Sequence, residues 1–312
     1  MHAPIACLGS CFVDLLARPV SEIPAGQGAT LVEEVRITPG AAGATTTALG
    51  RLWPEVHVVA SIGCDDLGDL LVAQLKRNGV KTEHLSRTDR AQTAATMVPV
   101  RPDGSHPSLS VLGALPELRL DDAARALISR CCLLHVNGPE LVLDTAREAL
   151  ETARSAGVTT TSDLILPQPS MLGDAIRPVL ALVDVLQLNR EQALDFFGVS
   201  EIEAAAQAAL AAGVGAVVIT LGAGGCFVAA PEGQKRLPAM QANVIDTTGC
   251  GDTFSAGLVW GLARGVKLSE AARLGIAAAT LNLETLGSGS AVTEADALLA
   301  VLDRPTIAEH AA

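Results

Sequence analysis

The sequence predicts an α/β fold of three layers, in which helices cover both faces of a mostly parallel central sheet and a small separate β layer is inserted into the α/β body. Hydrophobic residues make up 49% of the 312 residues and charged residues 18%, which is enough apolar material for a large core. From residue 121 onward, short apolar strands alternate with Ala- and Leu-rich helices, as in a parallel sheet buried on both faces. Two half-polar segments in the N-terminal half do not fit that sheet, so we assign them to a small separate β layer.

The N-terminal half supplies the first elements of the sheet and of the small β layer. Strands are predicted at 5–8, 31–37 (ended by Pro39-Gly40) and 57–62, and a helix of small residues at 41–52. A second helix carries Leu67, Leu70, Leu71 and Leu75 at helical spacing, with Asp65 or Asp66 as N-cap and Gly79 as its stop. Two extended runs, 93–100 and 108–112, flank a Pro-Asp-Gly turn and predict a hairpin.

The C-terminal half repeats a strand and a helix. Apolar strands are predicted at 132–136, 158–162, 183–188 and 216–221. The longest uncharged stretch, about 204–226, is interrupted at Gly213 and Gly215, so we expect a helix, a turn and a strand there, and no membrane span.

Charge and composition exclude several classes of partner. The 22 Lys and Arg residues against 34 Asp and Glu residues give a net charge of −12, and there are seven aromatic residues and no Tyr. Attraction to phosphate and stacking on bases are therefore weak, so we expect no nucleic-acid partner, and without a basic patch no membrane partner. The seven cysteines form no Cys-x-x-Cys pair, which favours reduced core thiols. Without the pattern of a signal peptide, we expect a cytoplasmic protein.

The segment from Val244 to Phe254, which runs into a helix through Leu262, carries the most informative chemistry. Gly249 and Gly251 let the backbone pass close to a ligand with several amide N–H groups pointing the same way. These amides open a helix, whose dipole adds positive potential at the same place. The segment therefore predicts an anion site that needs no Lys or Arg.

Asp252 lies at the mouth of that predicted anion site. Stability alone explains a carboxylate beside a bound phosphate poorly, because like charges repel. A base that takes a proton from an attacking hydroxyl group explains it well. The alternative is an acid that caps the first turn of the helix, and from the residues alone the two interpretations are about equal.

Several motifs, in the same order, resemble those of the PfkB, or ribokinase-like, family of carbohydrate kinases. They are Gly9 to Asp14, Pro39-Gly40-Ala41-Ala42, Gly63-Cys64-Asp65-Asp66-Leu67-Gly68, Thr220-Leu221-Gly222-Ala223-Gly224-Gly225, and Asp246-Thr247-Thr248-Gly249-Cys250-Gly251-Asp252-Thr253-Phe254. The resemblance covers about residues 5–300. It implies a ribokinase-like fold, with a kinase domain over 1–304, a lid formed by about 11–38 and 93–113, and a loosely ordered tail at 305–312.

The resemblance also implies a role for each motif. Asp252 would be the catalytic base, and the amides of Gly249, Cys250 and Gly251 would form the anion hole for the transferred phosphoryl group. Substrate contacts would come from Asp14, Gly40 and Asn137, ATP contacts from Asn189, Thr220, Gly222 and Gly225, and ligands for a monovalent cation from Asp246 and the carbonyl of Thr248.

The expected cofactors are ATP, Mg²⁺ and, at the monovalent site, K⁺. Closure of the lid would exclude water, which otherwise competes with the acceptor hydroxyl group. A small sheet with one apolar face needs a cover, so we expect a homodimer that forms through the lid.

Two positions depart from the family's pattern. Pro39 and Ala44 stand where the substrate loop has its first glycine and its asparagine, so a sugar-contacting amide is missing and ribose itself is not implied. Gln192 stands where the family has a glutamate linked to magnesium through water, and Glu191 lies about 100° around the helix from that position. Magnesium would then bind through phosphate oxygens and water.

Five other residues have ordinary interpretations. His135 lies in an apolar strand and is expected to be a satisfied core histidine, and Cys250 a small apolar filler. Asp163 ends a strand at the edge where α/β proteins bind ligands, but a capping or turn role explains it at least as well. Arg101 and His106 flank the hairpin turn and are expected in a solvated loop.

The sequence therefore predicts an ATP-dependent kinase that phosphorylates a hydroxyl group of a sugar, sugar derivative or nucleoside. A simple sugar is preferred, because Phe12 is the one aromatic residue near the predicted lid. The alternatives are a catalytically silent sugar- or nucleotide-binding protein, favoured by Ala44 and Gln192, and a nucleoside or vitamin kinase. Dinucleotide, P-loop, zinc-hydrolase and α/β-hydrolase motifs are absent from the sequence.

Overall fold

Strands and helices alternate along most of the chain. The computed structural model describes residues 2–307 with the exception of 167, 169, 171–174, 290 and 293. Its strands are β1 (Ile5–Gly9), β2 (Cys11–Arg18), β3 (Glu34–Ala41), β4 (Val56–Gly63), β5 (Val80–Thr88), β6 (Ala95–Pro99), β7 (Leu109–Val111), β8 (Leu133–Asn137), β9 (Thr159–Asp163), β10 (Val185–Asn189), β11 (Ala216–Thr220), β12 (Cys226–Ala230) and β13 (Gly233–Leu237). Its helices are α1 (Ala42–Leu52), α2 (Asp66–Arg77), α3 (Asp122–Arg130), α4 (Leu143–Ser155), α5 (Arg177–Leu180), α6 (Arg190–Phe197), α7 (Ile202–Ala211), α8 (Cys250–Ala263), α9 (Leu268–Leu283) and α10 (Ala295–Val301).

The central sheet has the strand order β13-β12-β11-β10-β9-β8-β1-β4-β5. Neighbouring strands from β11 to β5 are parallel, and β12 and β13 add an antiparallel edge. This confirms the predicted mostly parallel sheet. The prediction missed both edges, β5 and the β12–β13 hairpin, because edge strands alternate between wet and dry faces or are polar, as β13 is.

Helices cover both faces of the sheet, which confirms the three layers. In β1, Ala6 and Leu8 belong to the core beneath α3, α4, α6 and α7, while Ile5 and Cys7 belong to the core beneath α1, α8, α9 and α10. Successive side chains of a strand point to opposite faces, so one apolar strand serves both cores.

The second sheet has four strands in the order β3-β2-β6-β7; β2, β6 and β7 lie within the segments predicted for the lid, and β3 extends past residue 38 to Ala41. The bounds predicted for the strand at 31–37 were wrong: β3 begins at Glu34 and continues through Pro39-Gly40 to Ala41. It is an edge strand, where a proline is tolerated because one side of the strand has no hydrogen-bonded neighbour. The hairpin of β6 and β7 confirms the antiparallel pair that the Pro-Asp-Gly turn predicted.

Local signals for helix ends agree with the structure. Asp65 caps α2, since its carboxylate accepts a hydrogen bond of 2.8 Å from the Gly68 N–H. All seven cysteines are free thiols, although Cys64 is exposed and so is not a core residue. None of the helices within the described residues has the length and apolar character needed to cross a membrane.

The predicted C-terminal tail is described only in part. Pro305 and Ile307 form backbone hydrogen bonds with Gln241 and Ala239, and residues 308–312 lie outside the described residues. The loose order of the tail therefore stays a prediction.

Candidate active site

A cavity opens where the carboxyl ends of β9, β10 and β11 face the lid and the first turn of α8. This is the edge of a parallel sheet at which α/β proteins bind ligands. The lining residues that matter below are Phe12, Asp14, Ala41, Thr96, His106, Ser108 and Ser110 from the lid, Asp163, Gln187, Asn189 and Thr220 from the sheet, and Thr247, Thr248, Gly249, Gly251 and Asp252 from the segment that enters α8.

At the first turn of α8, Gly249 and Gly251 line the cavity, and the Cys250 N–H donates a hydrogen bond of 3.3 Å to the Thr247 carbonyl. Gly249 precedes the helix in the left-handed conformation, with a φ of 70°, and a Cβ there would collide with Ser288. No side chain within the described residues caps this end of the helix. A Cβ on Gly251 would meet no atom within 4 Å, so the space before these amides is open. The turn can therefore receive an anion from the cavity.

Asp252 lies in this first turn and is half-buried. Its Oδ1 lies 3.5 Å from the Asn137 Nδ2, and the Ala41 N–H also donates to its carboxylate. Burial raises the pKa of Asp252 to about 6, while those two donors oppose the rise. Because its partners belong to other elements, the carboxylate does not cap its own helix.

Backbone geometry around Asp252 is held from α1 and from the end of β3. The Thr45 hydroxyl group donates a hydrogen bond of 3.1 Å to the Asp252 carbonyl. Ala41, whose N–H points at the Asp252 carboxylate, has a φ of 54°, which is the left-handed region. A non-glycine residue there costs about 1 kcal/mol or more and is concentrated at functional sites.

Asp14 is the second carboxyl group at the cavity. It lies on β2 between Thr38 and Thr96 of the neighbouring strands and is buried. Burial, and then the charge of Asp252, raise the pKa of Asp14 to about 7. Gly40, predicted as a substrate contact, lies against Asp14 so closely that any Cβ would collide with the carboxyl group.

Asn137 lies elsewhere than expected. It is completely buried behind Asp252, and it does not line the cavity. Its Nδ2 donates to the Asp163 Oδ2 at 3.0 Å, and its Oδ1 accepts from the Ser10 hydroxyl group at 3.1 Å. The side chain therefore contacts the carboxyl groups of Asp163 and Asp252.

A second cavity adjoins the first and is mainly apolar. Predicted ATP-binding residues Thr220, Gly222 and Gly225 line it, and Thr220, Thr247 and Gly251 line both cavities. The remaining wall is formed mostly by apolar side chains, namely those of Met240, Val244, Phe254, Ile276, Ala279 and Leu283. Such a slot suits a flat apolar ring.

Asn189 lies at the exposed end of β10 and borders the first cavity. It caps α6 in a reciprocal pair with Gln192: the Asn189 Oδ1 accepts from the Gln192 N–H, and the Gln192 Oε1 accepts from the Asn189 N–H. The Gln192 Nε2 donates to the carbonyls of Leu164 and Leu166. Gln192 is thus fully used inside the protein.

Asp246 is completely buried beneath the anion loop. Its Oδ1 accepts from the N–H and the hydroxyl group of Thr248, at 2.9 and 2.7 Å, and its Oδ2 accepts from the Gly287 N–H at 2.8 Å. The Thr248 carbonyl accepts from the Asn282 Nδ2 at 2.8 Å. The Ser288 hydroxyl group is buried and has no hydrogen-bond partner among the residues that the structure describes.

The lid contacts the anion segment directly. The Thr247 hydroxyl group donates a hydrogen bond of 2.8 Å to the carbonyl of Gly104, in the turn of the lid hairpin. His106 lines the cavity, contrary to the expectation of a solvated loop, and burial lowers its pKa. Arg101 is exposed, as expected.

Asp163, Gln187, Ser255 and His135 form a buried polar cluster near Asp252, of which the sequence indicated Asp163 and His135 but not Gln187 or Ser255. Asp163 caps no helix but contacts the Asn137 amide and the Ser255 hydroxyl group. His135 has a partner for one ring nitrogen, Thr161, and none for the other, so it is only half satisfied. A polar Gln in the apolar strand β10 was the available signal.

The chain is similar to proteins of one family. A family described as pfkB family carbohydrate kinase matches residues 3–295. Ribokinase of Mus musculus is 31% identical over 271 residues, which are 84% of this chain and 82% of that protein.

Two solved structures share the fold. Ribokinase of Arabidopsis thaliana, complexed with ribose and ATP, gives a TM-score of 0.83 at 22% identity and covers 98% of this chain and 100% of that one. Adenosine kinase of Sinorhizobium meliloti gives a TM-score of 0.83 at 22% identity and covers 96% and 98%.

Proposed function

The chain belongs to the pfkB family of carbohydrate kinases, which phosphorylate sugars or nucleosides with ATP, and from this membership we propose that Asp252 is its catalytic base. The observation that carries the proposal is a half-buried carboxylate with a pKa of about 6 in the same helical turn as free amides. A base with that pKa is ionised at neutral pH and still accepts a proton readily.

The reaction is an in-line transfer. Asp252 takes the proton of the acceptor hydroxyl group, and the acceptor oxygen forms a bond to the γ-phosphorus of ATP while the bond to the bridging oxygen breaks and ADP leaves. The amides of Gly249, Cys250 and Gly251 donate to the phosphoryl oxygens, on which charge develops. Cys250 acts through its amide alone, because burial raises the pKa of its thiol to about 12.

The acceptor that this cavity fits is a simple sugar. Asp14, Thr96, Ser108 and Ser110 offer a carboxyl group and hydroxyl groups from the lid, which suit the alternating donors and acceptors of a polyol. Phe12 alone offers a phenyl ring, too little for stacking a base on two sides. In this role Gly40 makes room for Asp14, and Asn137 orients Asp252 in place of contacting the acceptor.

The apolar cavity receives the adenine ring of ATP. Gly222 and Gly225 allow close approach of the backbone, and Phe254 and Ile276 contribute apolar walls on the side of α8 and α9. Thr220 and Gly251 border both cavities, so a triphosphate would pass between them toward the amides of α8.

Mg²⁺ fits this site as a hydrated ion. The described residues contain no cluster of three or more His, Cys, Asp or Glu side chains that could hold a metal, and Gln192 is occupied by its bonds within the protein. The ion would be held by phosphate oxygens and water in the cavity that Asn189 borders. Once bound with ATP, it neutralises charge on the phosphates.

K⁺ is proposed next to Asp246. This carboxylate is completely buried, and none of the ion pairs between described residues includes it. The Gly287 N–H donates to the Asp246 carboxylate, and the next residue, Ser288, has a buried hydroxyl oxygen without a partner among the described residues. Buried charge without a counter-ion is costly, so a cation beside these oxygens would stabilise the anion loop.

The outer face of the lid sheet exposes apolar side chains, through which two copies of the chain would form a homodimer. A cytoplasmic location is supported by the seven free thiols, since unpaired cysteines persist in a reducing compartment.

The experiment that tests the function is an acceptor panel. ADP release and product mass are measured with ATP, Mg²⁺ and pentoses, hexoses, sugar acids, adenosine or pyridoxal, each with and without K⁺. We expect a neutral sugar to gain one phosphoryl group with a kcat/KM of at least about 10⁴ M⁻¹s⁻¹. Turnover with adenosine or pyridoxal alone would contradict the sugar acceptor, and no turnover with any acceptor would favour a silent binding protein.

A further inference from the structure

A buried carboxyl group that the proposed reaction does not use lies directly behind Asp252. Asp163, at the end of β9, is 5% exposed and contacts the side chains of Asn137 and Ser255. Among the ion pairs of the described residues, none joins it to Lys or Arg. A negative charge at this position would have no cationic partner, so the hydrogen bonds around it must be consistent with its protonation state.

The carbonyl of Gly251, in α8, determines which atoms donate and which accept in these hydrogen bonds. The carbonyl of Gly251 can only accept, so the atom of Gln187 that lies 3.1 Å from it is the amide nitrogen, Nε2. The Gln187 Oε1 therefore faces the Ser255 hydroxyl group, at 2.9 Å. Because an amide oxygen can only accept, the single hydroxyl hydrogen of Ser255 goes to Gln187.

The contact between Ser255 and Asp163 then lacks a hydrogen unless the acid supplies one. The Ser255 Oγ lies 3.1 Å from the Asp163 Oδ2, and its hydrogen is already directed to Gln187. An ionised Asp163 would set two acceptors against each other at that distance. A protonated Oδ2 donates to Ser255 and, as a hydroxyl oxygen, still accepts the Asn137 N–H at 3.0 Å.

We propose that Asp163 is a neutral carboxylic acid and a positioning residue, which holds the Asn137 amide so that Asn137 turns its second N–H toward Asp252. The Asn137 Nδ2 has two hydrogens, one for Asp163 and one for the Asp252 Oδ1 at 3.5 Å. Only one of the two acids then bears a charge. The role of Asn137 in orienting a base depends on the proposed function, whereas the protonation of Asp163 does not.

The groups around Asp163 agree with this assignment. Burial, followed by the charge of Asp252, raises the pKa of Asp163 well above its usual range, and Glu140 acts in the same direction. His135 faces it with Nε2 at 3.6 Å from Oδ1, but burial lowers the pKa of this histidine to about 3, so it supplies no counter-charge.

The proton itself can be observed by isotope-edited infrared difference spectroscopy of the full chain against Asp163→Asn. Between about pH 6.5 and about pH 9, where ordinary carboxyl groups are ionised, the wild type should show the carbonyl band of a protonated acid that this variant lacks. The exposed control Asp144→Asn should keep the band. Equal spectra for the wild type and Asp163→Asn would overturn the proposal.

A second variant guards against misfolding of the first. Ser255→Ala keeps a good helix former in α8 and removes the acceptor of the Asp163 proton. The protonated band should persist but shift in frequency, and an unshifted band would contradict the assigned hydrogen bond.

The pH profile of kcat/KM tests the positioning role. In Asp163→Asn, one atom can no longer both donate to Ser255 and accept from Asn137, so kcat should fall about tenfold while KM for ATP stays the same. The acid limb of the profile should not move. If Asp163 were ionised, removing its charge would shift that limb by about one pH unit toward acid. Full activity of Asp252→Asn with the band still present would overturn the proposed base alone.

Discussion

Asp252 and Asp14 line the same cavity, and burial raises the pKa of both carboxyl groups. The pKa values of about 6 and about 7 have the same leading cause, desolvation of the charged form, and for Asp14 the charge of Asp252 follows. Neither carboxylate has a Lys or Arg partner among the ion pairs of the described residues. The site therefore holds negative charge at a cost in stability, which is the usual arrangement where a base must bind protons near neutral pH.

Because the buried negative charge of Asp252 destabilises the fold, Asp252→Asn should stabilise the protein without ligands, by an amount that depends on pH. The pKa of Asp252 rises from 3.8 to about 6 on folding, so the folded state binds more protons between these values and loses stability as pH rises through them. At pH 8 the variant should be more stable by about 1 to 3 kcal/mol, and the gain should vanish near pH 3.

Urea unfolding at both pH values measures this difference. Glu232→Gln, an exposed carboxyl group in the turn between β12 and β13, is the matched control and should leave stability unchanged at either pH. A loss of stability at pH 8, or an equal effect at both pH values, would show that Asp252 is not a desolvated carboxylate.

At the scale of elements, α8 and the lid sheet define the site together. Gly249 and the uncapped first turn of α8 leave amides open, and Ala41, at the end of the lid strand β3, points its N–H at Asp252 of the same turn. The hairpin turn adds the contact between Gly104 and Thr247. The lid sheet and the first turn of α8 therefore meet at the Asp252 carboxylate.

The two faces of the lid sheet differ in character. Asp14, Thr96 and Ser110, which are register partners, face the cavity. The alternate positions carry apolar side chains, and of these Met97 and Leu109 are 60% and 59% exposed. They pair directly across β6 and β7, so they form one continuous apolar surface that a second copy of the same lid can cover.

Met97→Glu should therefore convert a dimer into a monomer, because it places charges in the centre of the covered surface. Sedimentation equilibrium measures the mass of each species. Leu299→Glu, on α10 and 37% exposed, is the control and should remain dimeric. A monomeric wild type, or a variant that stays dimeric, would contradict assembly through the lid.

At the scale of the whole molecule, the sequence predicts strands well where both faces are buried. The parallel strands β8 to β11 are short and almost wholly buried, and their bounds agree with the prediction to within two residues, even though β9 consists of Thr, Ser and Asp residues. Strands at an edge or in the lid have one solvent-exposed face. Among these strands, β2 and β5 were not predicted, and the bounds of β3 were wrong. Composition alone does not separate such strands from loops.

Site residues were also easier to predict where they are neighbours along the chain. Residues that share one turn, such as Gly249, Gly251 and Asp252, were recognisable because their spacing along the chain is their spacing in space. Asp163 and Ser255 are 92 residues apart, and Ser255 and Gln187 are 68 apart, so only the folded sheet brings them together. The hydrogen bonds of Asn137 to Asp163 and Asp252 likewise join residues far apart in the sequence, and its contact with the acceptor stays a prediction.

The most direct measurement is the single-turnover rate of phosphoryl transfer in Asp252→Asn, with saturating ATP and the acceptor that the panel identifies. Asparagine keeps the shape of the side chain and can accept the Asn137 N–H, but it cannot take the proton of the acceptor. The rate should fall by about 10³-fold, while the Kd for ATP stays within about threefold of the wild type. A rate within about tenfold of the wild type would contradict the assignment of Asp252 as the base.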